Sequence, residues 1–406
     1  MSRLIARLNP KWEPALVVAI NAVSAALVYA VVTGRFYVSM SAVALIVTGL
    51  ICLERVGLID ELFRLYSQNR RAALLALSII LFLFPFTIRK SPYLVHIAVM
   101  ACLYAITALG LNFQMGSTDM TNFAGGAFFG MGAYTSALLN MKIGLNPWFG
   151  IPAAMVMTVL LAYLIGLPTL RTRGYYLSLV TIAMQTVFTL LIINTEWVGG
   201  PNGVAGITPY SLGSYSFRSP LWLFGYRLPY QAHYFYLSAL VLMCAGYVAS
   251  RLHISRLGLC WNTIGEDEIA ARCQGINPAS AKLLAFCAGG AFAGAAGAIY
   301  AHYISFIGPE DFDFTKSLMI ICMVILGGMD NVTGVTVGAV LLTLIDEKLR
   351  DFTDYRMLLY GVILLTVLLL RPEGLIPKRV RRYELVFGRA WRKAHGSGRH
   401  ETGYQA

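Results

Sequence analysis

A chain of 406 residues that is 57% hydrophobic and only 13% charged, with mean hydropathy +0.65, carries too little polar surface for a water-soluble globule. Its net charge of +12 would suit nucleic acid, but the basic residues gather at connectors and termini, as the positive-inside bias of membrane proteins produces. Seven cysteines form no CxxC pair and most sit in apolar runs, which argues against disulfides and against a metal site.

Helices are the expected spanning form, because lipid offers no partner for an open backbone. Apolar runs lie near 14–33, 36–53, 72–88, 91–116, 123–141, 146–167, 175–195, 230–249, 281–303, 310–327, 331–348 and 355–371. A span takes about 20 residues, so the fold expected is all-α and polytopic, with about 10 to 12 membrane segments, some broken or re-entrant.

The first run is long and a second follows directly after Gly34 and Arg35, with no small-residue cleavage site, unlike a cleaved signal. Residues 54–71, ERVGLIDELFRLYSQNRR, are too charged to cross. Val56, Ile59, Leu62, Phe63 and Tyr66 recur at helical spacing and predict an interfacial amphipathic helix. Residues 1–71 thus read as an appendage on a core over 72–377, followed by a basic tail over 378–406.

Two polar, glycine-flanked interruptions follow. GSTDMTNFAGG at 116–126 sets Ser117, Thr118, Asp119, Thr121 and Asn122 between apolar runs, and LGGMDNVTG at 326–334 does the same with Asp330 and Asn331. Either could be a broken helix whose unpaired backbone groups hold a polar substrate, or a short cytoplasmic turn. Asp119 divides the two readings: a carboxylate inside hydrocarbon is costly and usually functional, while one on a turn is unremarkable. Small residues cluster in AGGAFFGMGAY and FCAGGAFAGAAGAIYAHY, where Gly126 and Gly130, and Gly290 and Gly294, are four apart, a spacing that lets helices approach closely.

The loop over 196–229 opens on GGPNG at 199–203, a tight turn, and continues into an aromatic stretch suited to the outer interface, a lid or a docking surface. The connector over 255–286 is the most ordered loop. Glu266, Asp267 and Glu268 stand where a short helix would begin, Gly275 where it would end, and Pro278 at the start of the next. With the amino terminus inside, Arg64, Arg70, Arg71, Arg171, Arg173, Arg251, Arg256, Arg272 and the carboxyl tail all fall in the cytoplasm, while the 196–229 loop falls outside. That loop carries only Glu196, Arg218 and Arg227, and Arg89 and Lys90 fall outside against the bias. No GxxxxGK[ST] loop, HExxH motif or other enzyme constellation occurs, and the six histidines are dispersed. His302, after a small-residue helix, reads as structural or as facing a passage.

AFFGMGAY at 127–134, LPTLRTRGYYLSLVTIA at 167–183, GGPNG, EDEIAARCQGIN at 266–277, KLLAFCAGGAFAGAAGAIYAHY at 282–303 and RPEGLIPKR at 371–379 together resemble, in order, the LivM-type permease subunit of branched-chain amino acid ABC importers. The resemblance covers about residues 91–377 and is related to the urea branch. It implies a multi-pass protein of the bacterial inner membrane with both termini cytoplasmic and no cofactor of its own. Its implied partners are a homologous LivH-like permease, two cytoplasmic ATPase subunits that bind ATP, a periplasmic binding protein, a small-molecule substrate and membrane lipid, but no nucleic acid. It makes the 264–275 segment a coupling helix seated in an ATPase groove, with Ile264, Gly265, Glu266, Asp267, Glu268, Ile269, Arg272 and Gly275 as its residues. Three departures stand out: DMTNFAGG before the AFFG run, Asp330 and Asn331 where glycine and serine are usual, and Gly265 where arginine is common. A urea or short-amide permease, or a stand-alone secondary transporter with Asp119 as its ion-coupling group, are the other readings; the permease performs no covalent chemistry in any of them.

Overall fold

A computed structural model describes residues 69–88, 91–169, 175–213, 215–223, 226–350 and 373–376, together with scattered positions elsewhere. Most of the first two apolar runs and of the 54–71 amphipathic helix, Arg89, Lys90, the basic tail and most of the 355–371 run lie outside the described residues, while Arg70 and Arg71 open the first of the helices. The helices are α1 (Arg70–Thr87), α2 (Pro92–Asn112), α3 (Gly125–Ile143), α4 (Pro147–Thr169), α5 (Tyr175–Asn194) and α6 (Gln231–Ile254). They continue as α7 (Arg256–Glu266), α8 (Glu268–Cys273), α9 (Pro278–Ile304), α10 (Phe314–Gly327) and α11 (Val332–Lys348). Among the described residues five helices are long and apolar enough to cross a membrane: Pro92–Ser117, Pro147–Leu167, Tyr176–Asn194, Gln231–Ile254 and Pro278–Ile304.

Two of these are central. α2 packs against α6, α9, α10 and α11, while α9 packs against α2, α3 and α4. Glycine makes those crossings possible. A methyl group on Gly110 of α2 would stand 2.7 Å from the Gly289 carbonyl of α9, and one on Gly289 would stand 2.8 Å from the Gly110 carbonyl. Gly290 and Gly294 meet Thr158, Ala162 and Ala154 of α4 in the same way, and Gly297 meets the Phe129 backbone of α3. Without hydrophobic drive between helices in lipid, this close packing supplies the association energy.

α10 has 14 residues and α11 has 17, each short of a full span, as the short runs over 310–327 and 331–348 suggested. They form a helical hairpin, closed where Gly327 abuts Gly334 and Gly338. The Leu375 and Ile376 amides donate to the Leu326 and Gly327 carbonyls at 2.9 and 3.1 Å, strapping these two residues across the hairpin's turn.

The 196–229 loop is more regular than its aromatic composition suggests. Two single-turn 3-10 helices, Glu196–Val198 and Gly200–Asn202, carry the GGPNG turn, with Gly199 at φ +109° and Gly203 at φ +70°. Strand β1 (Val204–Ala205) then pairs antiparallel with β6 (Phe306–Ile307) just past α9. Two small ribbons follow, β2 (Ser211–Leu212) with β3 (Tyr215–Ser216) and β4 (Leu221–Leu223) with β5 (Tyr226–Leu228). His302 locks the loop to the bundle. Fully buried, its Nε2 lies 2.8 Å from the Ser136 hydroxyl and its Nδ1 lies 2.6 Å from the Thr208 carbonyl oxygen, so its place is structural.

Candidate functional site

The first interruption begins inside α2. After Asn112 the helix widens into a single π-helical turn, Phe113–Ser117, and then stops. The Gln114 carbonyl accepts from the Met120 amide at 2.9 Å and the Thr118 hydroxyl at 2.8 Å, folding the chain back on itself. Asp119 takes the left-handed conformation, φ +52°, that this reversal requires. Its carboxylate is exposed, as expected of a turn. Asn122 is fully buried: its amide donates to Gln114 Oε1 at 2.5 Å and its Oδ1 accepts from the Ala124 amide at 2.8 Å.

The second interruption is the hairpin turn, with Gly328 at φ +108° and Asp330 at φ +65°. Asn331 caps α11, its Oδ1 accepting from the Thr333 and Gly334 amides at 3.1 Å each. The two interruptions meet. Ser117 Oγ donates to Asp330 Oδ1 at 2.7 Å, and the Asp330 amide donates to Asn112 Oδ1 at 2.8 Å. His253, near the end of α6, brings Nδ1 to 3.5 Å from Asp330 Oδ1, an ion pair when the imidazole is protonated. Asp330 is thus the buried carboxylate of the region, gripped by side chains from α2 and α6.

A second polar knot holds the start of α3. A helix begins with amides that no intrahelical carbonyl satisfies. Here the Gly126 amide donates to Ser317 Oγ at 2.8 Å and the Ala127 amide donates to Gln185 Oε1 at 2.7 Å. The Phe123 amide, just ahead, donates to Thr181 Oγ1 at 3.0 Å. Thr181, Gln185 and Ser317 are fully buried. The backbone donors freed by the first interruption are therefore aimed at the protein's own side chains in this conformation.

The connector rests on the first interruption. Ser255 caps α7, whose Trp261 is buried and donates from Nε1 to the Ala281 carbonyl of α9 at 2.8 Å. The Phe113 ring of the π turn lies 5.5 Å from the rings of both Trp261 and His253. A side chain on Gly265 would come within 2.7 Å of the Ser117 carbonyl, so only glycine permits this approach. The short helix begins within its acidic run. Glu266 closes α7, and Asp267 is the cap of α8, accepting from the Ile269 and Ala270 amides at 2.8 and 3.1 Å. The choice of cap has a simple cause: of the three acidic residues, Asp has the short side chain that reaches its own chain's amides. Glu268 bridges Arg272 at 2.7 Å and Lys282 at 2.8 Å, tying α8 to α9. Gly275 turns the chain at φ +78°, and Asn277 caps α9 ahead of Pro278.

The structure thus brings Ser117, Asp330 and Gly265 together, with Thr118 and Asn122 on the same fold-back and Asn331 capping beside it. Ile264 is buried at 4% exposure among α7's anchoring contacts, whereas Ile269 projects at 73% exposure from α8. Asn112, Gln114, Thr181, Gln185, His253 and Ser317 complete the two knots without having been singled out in the sequence. Their signal is an isolated amide, imidazole or hydroxyl within an apolar helix.

A bundle of apolar helices with glycine crossings, two interlocked helix breaks and a structured connector defines a polytopic membrane protein of the transport class. The family model for the permease component of branched-chain amino acid transport systems matches residues 93–368, and the chain belongs to that family. It is 37% identical over 337 residues, 80% of this chain and 79% of the relative, to the high-affinity branched-chain amino acid transport system permease protein LivM of Salmonella typhimurium. The LivM protein of Escherichia coli is 36% identical over the same shares. The LivH permease of Escherichia coli is 24% identical over 67% of this chain and 91% of its own length. No solved structure matches.

Proposed function

We infer that this chain is the membrane-spanning permease subunit of an ATP-driven importer for branched-chain or other small amino acids. In this reading it sits in a bacterial inner membrane with both termini in the cytoplasm. It pairs with a LivH-like permease and receives substrate from a periplasmic binding protein. Two cytoplasmic subunits bind and hydrolyse the ATP, so the chain itself needs no cofactor and makes no covalent bond. The observation that carries the mechanism is the seat of Gly265 against the Ser117 carbonyl.

The mechanism follows from that seat. α8 is capped, salt-bridged to α9 and presents the exposed Ile269, the features of a rigid peg for an ATPase groove. Displacing it moves α7, which is anchored through Trp261 and abuts the π turn at Phe113 and Ser117. Ser117 is bonded to Asp330, so the same displacement reaches the α10–α11 hairpin. Two packings of this joint then correspond to outward and inward access, a two-state element biased by nucleotide on another chain. Asp119, on which an ion-coupled secondary transporter would rest, is exposed on a turn, which favours the ATP-driven reading.

The test is uptake by proteoliposomes holding the chain with its companion subunits and binding protein. Labelled leucine, isoleucine, valine, urea and short amides would be offered in turn. ATP-dependent accumulation of the branched-chain amino acids supports the assignment. Accumulation of urea or amides alone would redirect it to the sister branch, and accumulation by the chain alone without nucleotide would refute it.

A further inference from the structure

The corner between α6 and α7 carries two arginines that the coupling mechanism does not use. Along α6, Leu240, Cys244, Tyr247, Val248, Arg251 and Ile254 are exposed, and their spacing puts them on one face of the helix. That face carries no charge until Arg251, in the last turn. An exposed apolar stripe on a helix long enough to span is what lipid tails cover, and a charge confined to its end lies where the hydrocarbon stops.

Arg251 is built for that level. Its guanidinium lies 5.4 Å from the centre of the Tyr247 ring, one turn earlier, and its Nε donates to the Tyr247 hydroxyl at 3.2 Å. An aromatic ring beside a cation at the end of a span is typical of the membrane–water boundary. The contact uses one of the five donors of the guanidinium. Only Ser255 separates α6 from α7, so α7 starts at the same depth. It buries Gly258, Trp261 and Ile264 along one side and exposes Arg256 and Leu257 at its start. Among the described residues neither Arg251 nor Arg256 makes an ion pair. No acidic residue occurs between 231 and 265, so the positive charge of the corner has no local counterpart in sequence.

We propose that Arg251 and Arg256, with the exposed Ile254 and Leu257, form a docking site for an anionic phospholipid of the leaflet on the connector's side. The arginines hold the headgroup, whose phosphate suits their planar fork of donors. Ile254 and Leu257 lie against the upper acyl chains. Positive charge without a neighbouring acid favours a net-negative headgroup over a zwitterionic one. Continuity with the apolar stripe of α6 selects lipid over a soluble partner. A lipid held there fixes the start of α7, whose far end seats Gly265 against the Ser117 carbonyl.

The experiment uses the protein with its companion subunits in nanodiscs of phosphatidylcholine. These are doped with phosphatidylglycerol bearing a photoactivatable group on its headgroup, and adducts are located by peptide mass. The probe should label residues 247–257, and added phosphatidylglycerol should displace it where added phosphatidylcholine does not. Each arginine is worth about fivefold in affinity for an anionic surface, so Arg251→Gln with Arg256→Gln should weaken the probe at this corner about 25-fold. Arg251→Lys with Arg256→Lys keeps the charge and should keep most of the labelling. Equal labelling by a phosphatidylcholine probe, or wild-type labelling of the glutamine variant, would overturn the site. So would a corner that cross-links to a companion subunit and takes no lipid. If the glutamine variant does not assemble, the competition on the wild-type protein decides alone. None of these outcomes depends on what the protein transports.

Discussion

Ser117 and Asp330, 213 residues apart, share a 2.7 Å hydrogen bond that ties the break in α2 to the turn of the α10–α11 hairpin. One partner is a carboxylate in a buried setting, so the bond belongs to the stronger class. Ser117→Ala should destabilise the solubilised protein by about 1–2 kcal/mol, and Asp330→Ala by about 3 kcal/mol, since the latter also strips a partner from His253. Thermal unfolding of both single variants and the double variant measures the coupling. The loss in the double variant should fall short of the sum by about 1 kcal/mol or more. Full additivity would mean that the two breaks are not joined.

Gly265 offers a steric test of the connector's seat. Gly265→Ala places a methyl 2.7 Å from the Ser117 carbonyl, a backbone atom that cannot rotate aside. Overpacking of this kind costs about 1–3 kcal/mol, and uptake should fall with it. Gly275→Ala is the control. It has open space around it but φ +78°, so it should cost about 1 kcal/mol through backbone strain and leave the α7 seat intact. Equal behaviour of the two variants in uptake would argue against a mechanical contact at Gly265.

The peg itself should respond to acid. The Glu268 carboxyl is held below the ordinary carboxylate range, first by its hydrogen bond from Lys282 and further by Arg272, against some desolvation. A depressed folded-state value means that its contribution is complete above the ordinary range and is lost as pH falls through the lowered value. Hydrogen exchange of the α8 amides should therefore stay slow at neutral pH and rise below about pH 4.3. Glu268→Gln should exchange faster at neutral pH and lose that acid-dependent rise. An unchanged pH profile would show that the Lys282 and Arg272 contacts do not hold α8 in place.

The cap of α3 gives a prediction independent of the connector. Gln185→Leu keeps the bulk but leaves the Ala127 amide without its acceptor and the Phe312 carbonyl without its 2.6 Å donor. The Ser317 hydroxyl, which donates to the same Gln185 oxygen at 2.9 Å, loses its acceptor too, and the expected cost for these buried groups is about 2–4 kcal/mol, read as lost thermal stability. A variant as stable as the wild type would show that water reaches these groups.

Much of the bundle was legible because lipid makes apolar length a direct signal, and helix breaks in such a chain announce themselves by polar residues beside glycine. The turn at Gly275 and the start of α9 at Pro278 were legible from the residue types alone, whereas the caps Asn277 and Asn331 emerge only in the structure. Legibility ended where partners lie far apart in sequence. Asp119 drew attention as a carboxylate near an apolar run, but its left-handed φ turns it to the surface. Asp330 is the buried one, through contacts with Asn112, Ser117 and His253 that no local pattern encodes. Likewise Thr181, Gln185 and Ser317 converge on the start of α3 from two other helices. Helical spacing in an all-apolar segment does not say which neighbour a lone glutamine will meet. The run over 310–327 overshot its helix because its first residues, Glu310, Asp311 and Phe312, belong to the 3-10 turn Pro309–Phe312, and α10 begins only after the Asp313 cap.

Coupling through the connector is best tested by replacing Glu266, Asp267 and Glu268 together with alanine in the reconstituted complex and following ATP hydrolysis and leucine uptake in the same vesicles. The variant should insert and fold, yet ATPase association or ATP-driven uptake should fall sharply, because the cap and the bridge to α9 that stiffen the peg are gone. Wild-type uptake per ATP in that variant would contradict the account.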